Sequence, residues 1–251
     1  MKTLVAILGI IINSLVFSQE TIIKNLDGER INITNENGLK QGYWEITLGN
    51  SALRKGKYVD SKEDGTWITY HPNNMVAGIE TYKMGVKDGL FLTIDTRGTV
   101  QTEENYKSGL LHGFVRTYVS AGNIQEETEY KNGKIHGVVK KYYSNKKIQE
   151  ESNYVDAQRH GSAIWYSQQG HKVAEYNYEN GLFQGKQLSF YANGTISKLQ
   201  TYNKNVFEGP YEEYYESGKL KISGQYKKGE KNGIWKEFDE DGNVTSENKY
   251  K

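Results

Sequence analysis

The chain has 251 residues, with 32 Lys and Arg against 31 Asp and Glu, a net charge of +1 and no cysteine. It has no basic run or arginine-rich stripe, which argues against nucleic-acid binding and against electrostatic docking on anionic lipid. Without cysteine there is no disulfide framework, thiolate metal centre or lipidated cysteine.

At the N-terminus Met1-Lys2-Thr3 is short and positive, Leu4 to Ile12 is apolar, and Val16-Phe17-Ser18 offers permissive residues before a cleavage point. This reads as a secretory signal peptide over residues 1–18. As a membrane anchor the apolar stretch is too short, and Asn13 interrupts it. Cleavage removes only Lys2 among the charged residues, leaving 31 bases against 31 acids. The mature chain is therefore expected in a bacterial periplasm, at the outer surface or secreted, with sheet packing instead of disulfides for stability. In residues 19–37, Leu26-Asp27-Gly28 looks like a turn and Ile31-Asn32-Ile33 like an alternating strand. That half unit is read as an N-terminal cap on a repeat array.

Residues 38–251 repeat. Anchor glycines stand at 42, 65, 89, 113, 137, 161, 185, 209 and 233, the first interval 23 residues and the next seven 24. A tyrosine keeps the same register at 58, 82, 106, 130, 154, 178, 202, 226 and 250, so this slot holds nine of the 20 tyrosines. A fixed period of this length marks stacked units, none of which buries its apolar face alone. Within a unit, an aromatic-rich run such as Tyr211 to Tyr215 leads through Gly218 into a second run, Leu220 to Tyr226. Glycines at 98, 122, 170, 194, 218 and 242 supply the positive φ of a hairpin turn. An apolar residue precedes the closing tyrosine by six positions (Val76, Val100, Ile124, Ile148, Ile196, Leu220, Val244), with Lys172 and Val173 departing in the sixth unit. Even spacing predicts that this residue shares the tyrosine's face. Helix is the competing reading. Glycine pairs four apart, such as Gly85/Gly89 and Gly229/Gly233, would weaken it, and no unit carries a long helical stripe. The predicted fold is all-β: an elongated single-layer solenoid of about nine stacked antiparallel hairpins.

The unit running Gly229-Glu-Lys-Asn-Gly233-Ile-Trp235-Lys-Glu-Phe238, then Asp241-Gly242-Asn-Val244 and Tyr250, resembles the MORN repeat in its bacterial variant form. The resemblance covers about residues 38–251. It implies hairpins stacked into a long gutter-like antiparallel sheet. Proteins similar to this one are labelled YwqK-type antitoxins, and eukaryotic relatives are linked to membranes and scaffolding. Fold alone does not fix function. Ser61, Ala157 and Asn205 replace the first glycine of a pair, and Ala163 and Gln187 replace the aromatic two residues past the anchor. Those departures argue against one continuous aromatic binding track.

Three series invite a chemical reading. His112, His136 and His160 each precede an anchor glycine. At two strands per unit they would stand roughly 10 Å apart, too far to share one metal, and a generic polar residue beside the turn accounts for the position. Glu103, Glu127, Glu151 and Glu175 fall on the face opposite the tyrosines. Their spacing resembles the carboxylate pair of an inverting glycosidase, but nothing singles out one acid, so a solvated acidic face is expected. Trp44, Trp67, Phe91, Tyr211 and Trp235, two past each anchor, read as core because Val115 and Val139 fill the slot elsewhere. Tyr43, Tyr143, Tyr176, Tyr191 and Tyr215 lie outside the recurrent aromatic slots and are expected to be exposed.

No nucleophile elbow, phosphate loop or metal cluster is present. No catalytic, cofactor or metal residue is therefore assigned. The reading is an exported, non-enzymatic binding or scaffold module for another protein or an envelope glycan. An antitoxin or immunity protein acting in the envelope is the alternative, and a hydrolase a distant third.

Overall fold

A computed structural model of the protein describes residues 23–24, 28–49, 52–119 and 122–251. The segment read as a signal peptide (residues 1–18) and part of the expected cap (residues 25–27) fall outside them. Among the described residues there are 21 strands and no α-helix, hence no helix long and apolar enough to cross a membrane. Every pairing is antiparallel and follows chain order, from β1 (Ile33–Thr34) on β2 (Lys40–Thr47) to β20 (Glu230–Phe238) on β21 (Val244–Tyr250). The two-residue strands β8 (Leu110–Leu111) and β15 (Leu182–Phe183) are short preludes, so β7 (Val100–Lys107) also pairs β9 (Gly113–Tyr118) and β14 (Lys172–Glu179) also pairs β16 (Gly185–Phe190). The two ends do not meet, so the sheet is one open layer.

Two kinds of turn alternate, on opposite edges of the ribbon. Within a unit, a three-residue loop is closed by bonds such as Asp95 N–H to Thr99 O (2.9 Å) and Gly98 N–H to Asp95 O (2.9 Å). Its last position needs positive φ: Gly98 has +84°, while Asn74 (+64°) and Lys146 (+68°) fill the slot in units without glycine. Between units, the connection is two residues, both with positive φ, as a I′ hairpin requires. Met84 and Gly85 (+51° and +82°) are one example, with Lys83 pairing Val86 on either side. The second turn amide donates back to the preceding unit, as Gly85 N–H does to Glu63 O (2.7 Å).

Where the glycine is missing, Ser61, Ala157 and Asn205 hold φ values of +62°, +67° and +67°. An L-residue in that conformation costs roughly 1–2 kcal/mol, least for Asn. Two of the three offset the strain locally: Ser61 Oγ accepts Lys40 N–H (2.9 Å), and Asn205 Oδ1 accepts Phe183 N–H (2.6 Å). Ala157 has no such side chain. Ala157→Gly is therefore expected to stabilise the protein by about 1 kcal/mol, with Ser61→Gly near neutral. Paired denaturant midpoints check the contrast.

The register corrects one sequence expectation. Thr93 pairs Thr102 while the next residue, Ile94, pairs Val100, so Gln101 is an extra residue in the strand. The same bulge recurs in most units, as at Tyr118/Ile124 and Tyr214/Leu220. It flips the aliphatic residue six before the tyrosine onto the opposite face. Val100 accordingly lines a groove with Leu90, Leu92, Glu103 and Tyr118, away from Tyr106. Even spacing failed as a guide because strand parity breaks at a bulge.

At the N-terminal end Ile31 is buried, and Asn32 brackets the backbone of Glu45: its Nδ2 donates to Glu45 O (3.2 Å) and its Oδ1 accepts Glu45 N–H (2.9 Å). At the other end β21 has no strand on its outer side among the described residues and is mostly exposed.

Candidate binding face

The face carrying the closing tyrosines is built from three positions per unit: the tyrosine, the residue two past the anchor, and the residue two before it. The second of these is the core. Trp67 is 0% exposed, Ala163 1%, and Phe91, Val139, Gln187 and Trp235 are all buried. The expectation of core packing holds for Trp67, Phe91 and Trp235, while Trp44 and Tyr211 are half-buried. Gln187 keeps its amide bonded, accepting Asn177 N–H (2.8 Å) and donating to Asn177 O (3.0 Å). The closing tyrosines themselves are mostly half-buried, Tyr58 alone being fully buried among those described.

Two glycines outside the anchor series are part of this packing. Gly56 and Gly224 lie directly under the indoles of Trp67 and Trp235, where an added Cβ would stand 2.2 Å from ring carbon. Each precedes its tryptophan by eleven residues, a spacing already present in the sequence.

The third position joins the rings into a track. From Trp165 the ring contacts pass through Tyr176 (5.2 Å), Phe183 (5.6 Å), Tyr202 (5.3 Å), Phe207 (4.3 Å), Tyr226 (4.7 Å), Trp235 (5.1 Å) and Tyr250 (6.3 Å). Contrary to the sequence expectation, Gln187 does not interrupt the row. Phe183 and Phe207, two before their anchors, carry it past that point.

In other units that third position is a cation lying over the rings. Lys87 sits 4.6 Å from Phe91 and 4.5 Å from Tyr106, Arg159 is 5.4 Å from Trp165, and Lys231 is 4.2 Å from Trp235 and 5.3 Å from Tyr250. Arg159 is neutralised by Glu150 (2.5 Å). At the C-terminal end, Lys231, Tyr211, Tyr226, Trp235, Asn248 and Tyr250 line a small groove of ≈ 120 Å³. Burial first, then the hydrogen bond to Glu104, pushes the Tyr106 phenol up to about 12. Burial and the neighbouring Glu80 and Glu63 do the same for Tyr82. Both phenols stay protonated, as donors, through neutral pH.

Glu150 is the buried acid of this face. Burial opposes its charge, but the Ser152 hydroxyl (2.7 Å), Lys141 and Arg159 outweigh it and hold the carboxyl below its ordinary value. A depressed carboxyl contributes stability above its unfolded pKa and loses it as pH falls through the folded one. Acid unfolding of Glu150→Gln is thus expected to depend less steeply on pH, below the usual carboxylate range, than that of wild type. Denaturant melts across that range test the slope.

Residues 63–84, 135–156, 183–204, 207–228 and 231–251 each match the family model described as MORN repeat variant. Five of the chain's hairpin units are thus similar to the MORN repeat variant. No curated protein compared with the chain matches it. The first four matched segments each run from the residue two before an anchor glycine to the first residue of the next I′ turn, and the last stops at Lys251. Sequence repeat and structural hairpin therefore share one phase.

The histidine row falls one residue before three consecutive anchor glycines, and only His136 lies within a matched segment. Elsewhere the residue before the anchor caps the next connecting turn: Asp64 accepts Met84 N–H (3.1 Å), Asp88 accepts Ser108 N–H (2.9 Å) and Glu208 accepts Lys228 N–H (2.7 Å). His112 and His136 occupy this slot with their Nδ1 atoms enclosed and unbonded, and His160 is exposed. Among the described residues no three His, Asp or Glu side chains gather as a metal site.

The glutamate row lies on the opposite face as expected, but it is not a solvated acidic surface. Arg116 bridges Glu103 (2.9 Å) and Glu127 (2.6 Å), Lys140 faces Glu151 (3.7 Å), and Lys172 pairs Glu175 (2.7 Å). The acids are half-buried and paired because Arg116 and Lys140 fill facing positions in the adjoining strands, while Lys172 reaches Glu175 along its own strand. Of the tyrosines expected to be exposed, only Tyr43 is. Tyr176 packs between Trp165 and Phe183, while Tyr143, Tyr191 and Tyr215 hydrogen-bond the next unit.

Proposed function

We propose that this is an exported, non-enzymatic binding module that holds another protein along its tyrosine face. The observation that carries the reading is the unbroken ring row from Trp165 to Tyr250, edged by Lys231 on a sheet that no second layer covers among the described residues. Such a strip offers many modest contacts, and aromatic residues are the side chains on which interfaces most depend. MORN repeats in general are protein- or membrane-binding modules, which supports the class. The balanced charge favours a protein over anionic lipid. Export rests on the signal-peptide pattern of residues 1–18.

The test is capture from envelope extracts with wild type and a Lys231→Glu/Tyr250→Ala double variant, chosen because Tyr250 is 37% exposed and lies outside the buried core. A stoichiometric partner lost with the double variant supports the reading. Were that partner a toxin, the module would be an immunity protein of the envelope. Capture indifferent to the variant, or a native protein that keeps Met1 in the cytosol, would overturn it.

A further inference from the structure

The residue opening each intra-unit turn forms a series of its own. Tyr143, Tyr191 and Tyr215 occupy it, and each phenol donates to the carbonyl 23 residues on: Tyr166 O, Tyr214 O and Phe238 O, all at 2.8 Å. His71 makes the same reach, its Nε2 standing 2.8 Å from Ile94 O. The phenol ring thus fills the space between one turn and the next, and its hydroxyl satisfies a backbone acceptor.

Ser167 stands in this slot between Tyr143 and Tyr191. Too short to reach across, its Oγ instead accepts His171 N–H within its own turn (3.2 Å). A cavity of ≈ 300 Å³ opens between the two turns, lined by Ser167, His171, Lys172, Phe190 and Tyr191. The carbonyl corresponding to those the three tyrosines bond is that of Phe190. Lys172, standing where other units carry an aliphatic residue, lies 5.5 Å from the Phe190 ring and pairs with Glu175 (2.7 Å). An ammonium at the wall also suits an aromatic guest, whose π face attracts cations.

We infer that the cavity beside Ser167 is a socket for a phenol ring, filled by a tyrosyl side chain of a partner protein. The chain's own three tyrosines define the guest's chemistry: a ring of that size, and a hydroxyl donating to Phe190 O. The inference goes beyond the binding role of the tyrosine face, since the socket lies at a turn edge, and it stands whatever that face holds.

The test uses the whole chain without residues 1–18 and reads p-cresol, toluene and N-acetyltyrosinamide binding by NMR shifts at Val173, Phe190 and Ala192. Expected is saturable binding of p-cresol and N-acetyltyrosinamide, with p-cresol roughly fivefold tighter than toluene, the worth of one neutral hydrogen bond. Ser167→Tyr should fill the socket, raise Tm and abolish binding. Ser167→Phe, a second filler, should abolish binding without the hydroxyl. No saturable p-cresol binding, equal affinity for toluene, or binding that survives both substitutions would overturn the socket. Binding of p-cresol without N-acetyltyrosinamide would overturn the tyrosyl occupant.

Discussion

Trp67→Ala is expected to lower stability by about 3–5 kcal/mol, the range for emptying a buried aromatic site. Trp67 is fully enclosed, its ring 4.7 Å from Tyr58 and 4.5 Å from the Arg54 guanidinium, and its Nε1–H donates to Lys57 O (3.2 Å). Truncation leaves a void, an unbonded carbonyl and a cation deprived of its ring. Arg54 stays anchored by Glu63 (2.5 Å) and Glu80 (2.6 Å), so the hole cannot readily collapse around it. In a solenoid the damage should remain local. Hydrogen exchange should accelerate in β3 (Leu53–Val59) and β4 (Lys62–Tyr70) while β20 and β21 keep their wild-type rates. Chemical denaturation gives the magnitude and exchange gives the confinement.

Gly56→Ala is the smallest substitution with a large expected effect, about 3 kcal/mol. The new Cβ would lie 2.2 Å from Trp67 Cδ2, so either the indole leaves its place or the strands part. Backbone conformation is not the cause, because Gly56 lies outside the positive-φ glycines. The cost is contact alone and should disappear with the indole: in the Trp67→Ala background the same substitution should cost under about 1 kcal/mol. A double-mutant cycle measures that coupling. Gly224 under Trp235 repeats the geometry and should repeat the result.

The anchor glycines, turn glycines and closing tyrosines were legible in the sequence because each recurs at one period and each answers to a local rule. Features that depend on strand pairing were not. The bulge at Gln101 leaves no mark in the spacing, yet it moves Val100 from the tyrosine face to the other. The ring track is hidden in the sequence because it alternates between two slots, Phe183 and Phe207 before their anchors and Trp235 after its own. Neither slot is aromatic throughout, and only the pairing of Tyr202 with Phe207 shows that they meet. Tyr143, Tyr191 and Tyr215 do share a register, but the role of that register lies in carbonyls of the following unit. Glu103 and Glu127 read as bare acids until Arg116 is placed between them.

Each hairpin of the open ribbon rests only on its neighbours. Small-angle scattering of residues 19–251 reads this shape. Nine hairpins at about 4.8 Å per strand make an axis of roughly 80 Å before twist shortens it. That length corresponds to a radius of gyration on the order of 24 Å, with a distance distribution skewed to long separations. A value near 17 Å with a symmetric distribution, as expected for a compact globule of this length, would rule out the open ribbon.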